Sequence, residues 1–229
     1  MKAFLIFCSL ILFSGSVVAQ TTDSGIATER KFYVGLGLTN ISYHIYYKNS
    51  QAPGDINTGY FGPVFIHLGY KLNGKANLQV GLAYGGSKSK DDGFASSTDT
   101  VQYSFYSRTR VVALPVTLHH DLFRAFRRFP VYATATLMPA YGMSKSRTEE
   151  TRDSGTTTYW LKETGLNVFA TAGFGFNYRI SNRLQGYAEI LPFKYNITGR
   201  NSKDLDWEQY ASKSRQLYRS LGFGVNYSL

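Results

Sequence analysis

The sequence predicts an all-β fold, an eight-stranded antiparallel up-and-down β-barrel that spans a membrane. Three observations indicate this fold. The chain begins with an export leader. Apolar residues then recur at every second position in segments of about ten residues, the length of a tilted membrane-spanning strand. Short and long links alternate between those segments, as they do in barrels with short periplasmic turns and long extracellular loops.

The first 19 residues have the pattern of a signal peptide. Lys2 precedes an apolar run over 3–13, and Val17-Val18-Ala19 provide the small-residue ending that predicts cleavage after Ala19. The apolar run is shorter than the roughly 20 residues that cross a bilayer as a helix. The single cysteine, Cys8, lies inside this run and not at the cleavage point, so a lipid anchor is not expected. We therefore expect a signal peptide at 1–19 and one barrel domain at 20–229.

Composition favours strands over helices. The chain contains 18 Tyr, 16 Phe and 22 Gly, and no segment after the leader is apolar and long enough for a transmembrane helix. Only helices and closed barrels satisfy every backbone polar group in lipid. The net charge of +10 is not collected on one strand or helix face, which argues against nucleic acid as a partner.

Strict alternation is clearest in the last segment. Leu217, Leu221, Phe223, Val225, Tyr227 and Leu229 share one face, and small or polar residues occupy the other. The same pattern predicts strands at 32–39, 64–72, 78–85 and 166–178, with further candidates at 111–119, 131–141 and 184–197, which makes eight.

The links predict the topology. Short links fall at Asn73-Gly74-Lys75 and Ser181-Asn182, with a moderate one over 121–130, whose residues 122–129 form a candidate interfacial amphipathic helix. Long polar links fall near 46–59, 86–100, 144–163 and 198–213. An even strand count with both termini in the periplasm places the four long links outside. Basic residues in the short turns suit anionic headgroups of the inner leaflet, although solvated turn residues explain them equally well.

These features resemble the small outer-membrane β-barrel family, of the OmpA and OmpX type, over nearly the whole mature chain. The resemblance implies that Phe223, Val225, Tyr227 and Leu229 form a C-terminal assembly signal, read by the barrel-assembly machinery during insertion. Leu229 stands where phenylalanine is usual, and Gly222 where a polar residue is expected. Pro115, within the strand Arg110 to Leu118, matches an apolar-Pro-apolar strand of porin-like barrels.

A polar group is expected in the lumen. A carboxylate facing lipid is costly, so Glu189 should point inward, with His67, Arg183 or Lys194 as its partner and Lys71 nearby. Gln79, Asn167, Asn177 and Gln185 are further inward candidates. An eight-stranded barrel is just wide enough for its own side chains, which favours a packed plug over a narrow pore. No metal or other cofactor is expected, because His119 and His120 point to opposite faces of a strand.

Function is then expected in the long loops, where Tyr159, Trp160, Trp207 and Tyr210 are candidate partner contacts. The leading hypothesis is a non-enzymatic protein of the cell outer membrane, in contact with outer-membrane lipids, that serves as an anchor, envelope-interaction or adhesion-type scaffold. The extracellular or envelope partner stays open. A narrow solute or ion porin is the first alternative, and a lipid-modifying outer-membrane enzyme is the second.

Overall fold

The computed structural model describes residues 30–47, 58–94, 101–125, 129–199 and 212–229. The predicted leader, Trp207 and Tyr210 lie outside the described residues. In the described part, the chain forms eleven strands and one short helix: β1 Phe32–Thr39, β2 Tyr43–Tyr46, β3 Thr58–Phe61, β4 Val64–Lys71, β5 Ala76–Phe94, β6 Gln102–Ala113, β7 Val116–Ala125, β8 Phe129–Arg152, β9 Gly155–Arg179, β10 Leu184–Asn196, α1 Lys213–Tyr218 and β11 Leu221–Ser228.

Nine of the strands close into an antiparallel ring with eight positions. Around the ring the order is β1, β4, β5, β6 with β7, β8, β9, β10 and β11, and β11 pairs with β1 to close it. Strands β6 and β7 share one position, because both pair with β5 and with β8 and are separated only at Leu114-Pro115. Proline cannot donate a ladder hydrogen bond, so the strand divides there. The predicted eight-stranded up-and-down barrel is confirmed.

Alternation places large apolar side chains on the outside of the ring. Exposed outer residues include Val34, Leu36, Leu38, Ile66, Leu68, Val80, Leu82, Val116, Leu118, Leu137, Phe174, Phe176, Ile190, Phe223 and Val225. Most of their neighbours along each strand face the interior and are polar, small or tyrosine, and the large apolar exceptions are Phe65, Met138 and Leu191. An apolar band outside and a polar lumen inside is the inverse of a soluble barrel, and it is the arrangement that lipid requires.

The hairpin of β2 and β3 does not belong to the ring. It forms a separate two-stranded sheet in the register Tyr43↔Phe61 to Tyr46↔Thr58. Its apolar side chains are buried against inward-facing wall residues; the cluster comprises Ile41, Tyr43, Ile45, Tyr47 and Phe61 with Ala83, Val111, Ala113, Met138, Ala140, Phe169 and Leu191. This hairpin, which we call the plug hairpin, occupies the lumen. The sequence predicts an exposed link near 46–59. Residues 48–57 of that link lie outside the described part of the chain.

Four strands continue far beyond the others at the end of the barrel opposite the termini. Strand β1 has 8 residues, whereas β8 has 24 and β9 has 25. Strands β5, β6, β8 and β9 remain paired over this extension, which we call the projecting sheet. The predicted link near 144–163 is therefore wrong: it is a continuous hairpin that turns at 153–154, where Gly155 takes a φ of 135° that favours glycine. The link near 86–100 is likewise strand up to Phe94.

Two smaller predictions are also corrected. Residues 122–125 belong to β7 and not to an amphipathic helix, and 126–128 lie outside the described part. Leu217 lies in α1 and not in the last strand, because the Ser212 hydroxyl accepts a hydrogen bond from the Arg215 backbone N–H and starts a helix. No helix among the described residues has the length and apolarity to cross a membrane.

Candidate functional site

The plug hairpin is held to the barrel wall by both packing and hydrogen bonds. Asn167 of β9 accepts the backbone N–H of Tyr46 and donates to the Tyr46 carbonyl, each at 3.1 Å. The Tyr47 hydroxyl lies 2.7 Å from the hydroxyl of Ser144, which in turn lies 2.6 Å from that of Thr109. Ile45 is fully buried, and burying such a side chain contributes about 2 kcal/mol. The hairpin segment is thus hydrogen-bonded directly to β8 and β9.

Space for this docking comes from the small residues of the wall. A Cβ placed on Gly142 would lie 2.8 Å from two side-chain carbons of Ile45, closer than non-bonded carbons pack. Glycine at this position of β8 therefore permits the hairpin to approach the wall.

Beneath the plug hairpin, Glu189 is the centre of a buried polar network. Its carboxylate accepts a hydrogen bond from the Tyr132 hydroxyl at 3.0 Å and lies 3.2 Å from Nε2 of His119. Nδ1 of His119 lies 3.5 Å from the side-chain amide nitrogen of Gln79, which donates to the Tyr33 hydroxyl at 3.0 Å. Nε2 of His119 faces the Glu189 carboxylate at 3.2 Å without forming a hydrogen bond.

His67 forms a separate contact in the same lumen. Its Nε2 lies 2.7 Å from the side-chain oxygen of Asn226, an acceptor, so the histidine donates from Nε2. Sequence reasoning had offered His67, Arg183 or Lys194 as the partner of Glu189. The structure corrects this: His119 and Tyr132 are the partners, because β7 and β8 bring them to the inner face at that height.

A cavity of about 50 Å³ lies between the network and the plug hairpin. Its polar lining includes His67, Gln79, His119 and Glu189, and Tyr43, Met138 and Leu191 supply apolar lining. A cavity of this size has room for a few water molecules. The lumen is therefore closed by the plug hairpin above the cavity and crowded with aromatic side chains around it.

The other predicted lumenal residues lie apart from this network. Lys71 ends β4 on the same face as His67 and is half-buried. Lys194 donates to the Arg219 carbonyl at 3.2 Å. Arg183 is exposed in the turn after β9 and donates to the Tyr227 hydroxyl at 3.1 Å. Gln79 and Asn167 are buried as expected, whereas Gln185 and Asn177 are half-buried near the turn end.

The predicted contact residues and assembly-signal residues are exposed where the structure describes them. Tyr159 and Trp160 lie on β9 in the projecting sheet with 56% and 71% of their surface exposed, and the Arg147 guanidinium lies 5.2 Å from the Trp160 ring centre. Phe223, Val225, Tyr227 and Leu229 all lie on the outer face at the C-terminus.

Sequence reasoning missed the main partners of the site: His119, Tyr132, Tyr33 and the plug hairpin. Because side chains alternate along β7, His119 can be predicted to face inward when Leu118 faces outward. Only the pairing register of the strands shows that His119 lies beside Glu189. Among the described residues, no group of three or more His, Cys, Asp or Glu side chains is placed to hold a metal ion.

A closed ring with an apolar outer band and a plugged polar lumen defines a transmembrane β-barrel. The chain belongs to the outer membrane protein β-barrel domain family, whose model matches residues 5–228. The family is one of outer-membrane proteins. No curated protein matches the sequence.

Two crystal structures of Acinetobacter baumannii proteins are similar to this chain. CarO is 13% identical with a TM-score of 0.30, over 87% of this chain and 97% of that one. CarO2 is 14% identical with a TM-score of 0.28, over 86% and 98% of the respective chains.

Proposed function

We propose that the protein is a non-enzymatic outer-membrane barrel that acts as an interaction scaffold, presenting the projecting sheet outside the cell. The observation that carries this proposal is the sheet itself. Strands β8 and β9 stay paired up to Arg152↔Gly155, which is 14 residues beyond the last pair that β9 makes with β10 at Phe169↔Asn196. Such an extension is far longer than the membrane needs.

The free side of β9 is the contact surface in this proposal. Within the described ranges, β9 from Gly155 to Gly165 pairs with β8 alone. An unpaired strand edge can accept an extended segment of another protein, with backbone hydrogen bonds supplying affinity. Tyr159 and Trp160 lie on this edge, and large exposed aromatic rings are the side chains that most often dominate protein contacts. The partner is thus an extended protein segment added beside β9.

Site-specific photo-cross-linking tests the scaffold in cells. A photoreactive phenylalanine analogue at Tyr159, on the projecting sheet, is compared with the same analogue at Leu166, whose side chain is 67% exposed on the apolar band. We expect protein adducts at position 159 and lipid adducts at 166. Lipid adducts alone at both positions, or no adduct at 159 in cells, would rule the scaffold out.

A narrow pore is the second candidate, and the cavity beside Glu189 and His119 favours it. Conduction then requires the plug hairpin to leave the lumen. In planar bilayers we expect the natural protein to be silent. We expect Gly142→Leu, which displaces Ile45, to show openings that Glu189→Gln alters. Gly93→Leu is the control, since nothing lies within 4 Å of a Cβ there. If the Gly142→Leu variant folds correctly and shows no conductance, the pore hypothesis is rejected.

A further inference from the structure

Four basic side chains lie in one line across the projecting sheet. The registers are Lys88↔Arg108, Arg108↔Lys145 and Lys145↔Lys162, so one basic residue from each of β5, β6, β8 and β9 stands directly opposite the next. Directly paired residues of an antiparallel sheet share a face. With strands about 4.8 Å apart, the line is about 14 Å long. We call these four residues the basic row.

The basic row is on the outside of the sheet, in line with the lipid-facing band. The residues next to it along the strands, Thr109, Ser144 and Glu163, are buried on the inner face. Four residues closer to the membrane along each strand, the same outer face carries a row of exposed residues that pair with one another: Tyr84, Val112, Tyr141 and Leu166. The basic row therefore starts about 13 Å along the strands from the last fully apolar row.

Three acidic residues of the projecting sheet pair with cations outside the basic row. Asp92 forms an ion pair with Lys90 at 2.7 Å, Glu149 pairs with Arg147, and Glu150 pairs with Arg152. In the described part of the chain, no ion pair joins a carboxylate to any member of the basic row or to Arg110, which lies between the row and the apolar band.

Like charges directly opposite one another in a sheet are destabilising. Four in succession, with Asp92, Glu149 and Glu150 paired to other cations and Glu163 buried on the inner face, create a line of positive potential that an external anion can neutralise. Strand tilt of about 40° places the row about 10 Å above the apolar band, beside the headgroup layer of a bilayer. Lysine and arginine stems can also extend along apolar surface and place their charges at that depth.

We propose that the basic row is a binding site for the phosphate groups of an anionic phosphorylated lipid, whose acyl chains pack on the apolar band below. The ligand is a membrane lipid and not free phosphate, because the site is continuous with the lipid-facing surface through Arg110, Tyr141 and Leu166. Of the aromatic residues at the proposed contact edge, Tyr159 lies on the opposite face of the sheet, whereas Trp160 shares the outer face with Lys162.

Native mass spectrometry of the full chain refolded in neutral detergent tests the proposal. The probes are bisphosphorylated lipid A, the same lipid without its phosphates, and inorganic phosphate. The test variant replaces all four residues of the basic row with Gln. The control variant carries Lys31→Gln, Lys75→Gln, Arg124→Gln and Arg179→Gln, four exposed cations at the turn end, and so has the same net charge.

We expect the natural chain and the control to retain bisphosphorylated lipid A, and the basic-row variant to bind it about a hundredfold more weakly. Bisphosphorylated lipid A should raise the unfolding temperature of the natural chain and not of the basic-row variant. Without lipid, that variant should unfold no earlier than the natural chain, since repulsion has been removed. Equal binding by both variants, equal binding of the dephosphorylated lipid, or equal affinity for inorganic phosphate would each overturn the proposal.

Discussion

Glu189 illustrates what single residues contribute to this barrel. Its position on β10 turns the carboxylate away from lipid, where the Tyr132 hydroxyl donates to it and His119 lies beside it. A buried carboxylate without hydrogen-bond donors would be strongly unfavourable. The inward direction of Glu189 and His67 could be predicted, because strand residues alternate between faces.

The partner of Glu189 could not be predicted, since pairing depends on register. A single-residue shift moves every side chain to the other face. Strands β10 and β9 change register between Ile190 and Phe193, and β7 and β8 do so between Asp121 and Phe123. Alternation breaks at both places, at Leu122-Phe123 and at Pro192-Phe193, but a break does not reveal how far the register shifts, so the partner could not be read from the sequence.

At this scale we predict that Glu189→Leu lowers the free energy of unfolding in detergent by about 2 kcal/mol, because it leaves the buried Tyr132 hydroxyl without its acceptor. Glu189→Gln keeps an acceptor and should cost about 1 kcal/mol. Denaturant titration followed by gel mobility measures both. Asp92→Asn, an exposed control, should leave the midpoint unchanged. Equal midpoints for Glu189→Leu and the natural chain would show that the network does not stabilise the barrel.

At the scale of elements, the strands that face lipid were predictable and the elements outside lipid were not. Apolar alternation marks β1, β4 and the membrane part of β9, since lipid demands an apolar outer face. Apolar residues at every second position end where the strands leave the membrane. Strands β5 and β6 nevertheless continue through Ser87 to Asp92 and Ser104 to Thr109, because cross-strand polar pairs suffice in water.

The plug hairpin was missed for a related reason. Tyr43, Tyr46 and Tyr47 have the composition of an aromatic girdle, and nothing local distinguishes a girdle from a hairpin packed inside. The distinguishing features lie elsewhere in the chain. Gly142 leaves room for Ile45, and Asn167 binds the backbone of Tyr46. The hairpin and its receiving wall are therefore recognisable only when they are considered together.

At the scale of the whole molecule, the ring closes without the plug hairpin or the projecting sheet. Strands β1 and β11 pair over Tyr33↔Ser228 to Thr39↔Gly222, which brings both ends of the barrel domain together. Ring closure removes exposed strand edges inside the membrane. Two additions then distinguish this barrel from a bare one: the lumen is filled from one side, and four strands extend beyond the membrane.

Charge is also organised at this scale. Net charge alone, at +10, does not indicate a partner. The basic residues lie at the two ends of the apolar band, in the short turns at one end and in the basic row at the other. The sequence reveals the first group directly, whereas the second emerges only from cross-strand register, because its members are separated by up to 74 residues, from Lys88 to Lys162.

The central claim is that the plug hairpin occupies the lumen, and a designed disulfide tests it most directly. A Cβ on Gly142 would lie 3.2 Å from the Cβ of Ile45, and a shift of a few tenths of an ångström reaches disulfide geometry. Cys8, the single natural cysteine, lies in the predicted leader. We predict that Ile45→Cys with Gly142→Cys yields the linked peptide by mass spectrometry from membranes, whereas Ile45→Cys with Gly93→Cys does not. Absence of the linked peptide, with both thiols of the first pair free to react with a maleimide, would contradict the account.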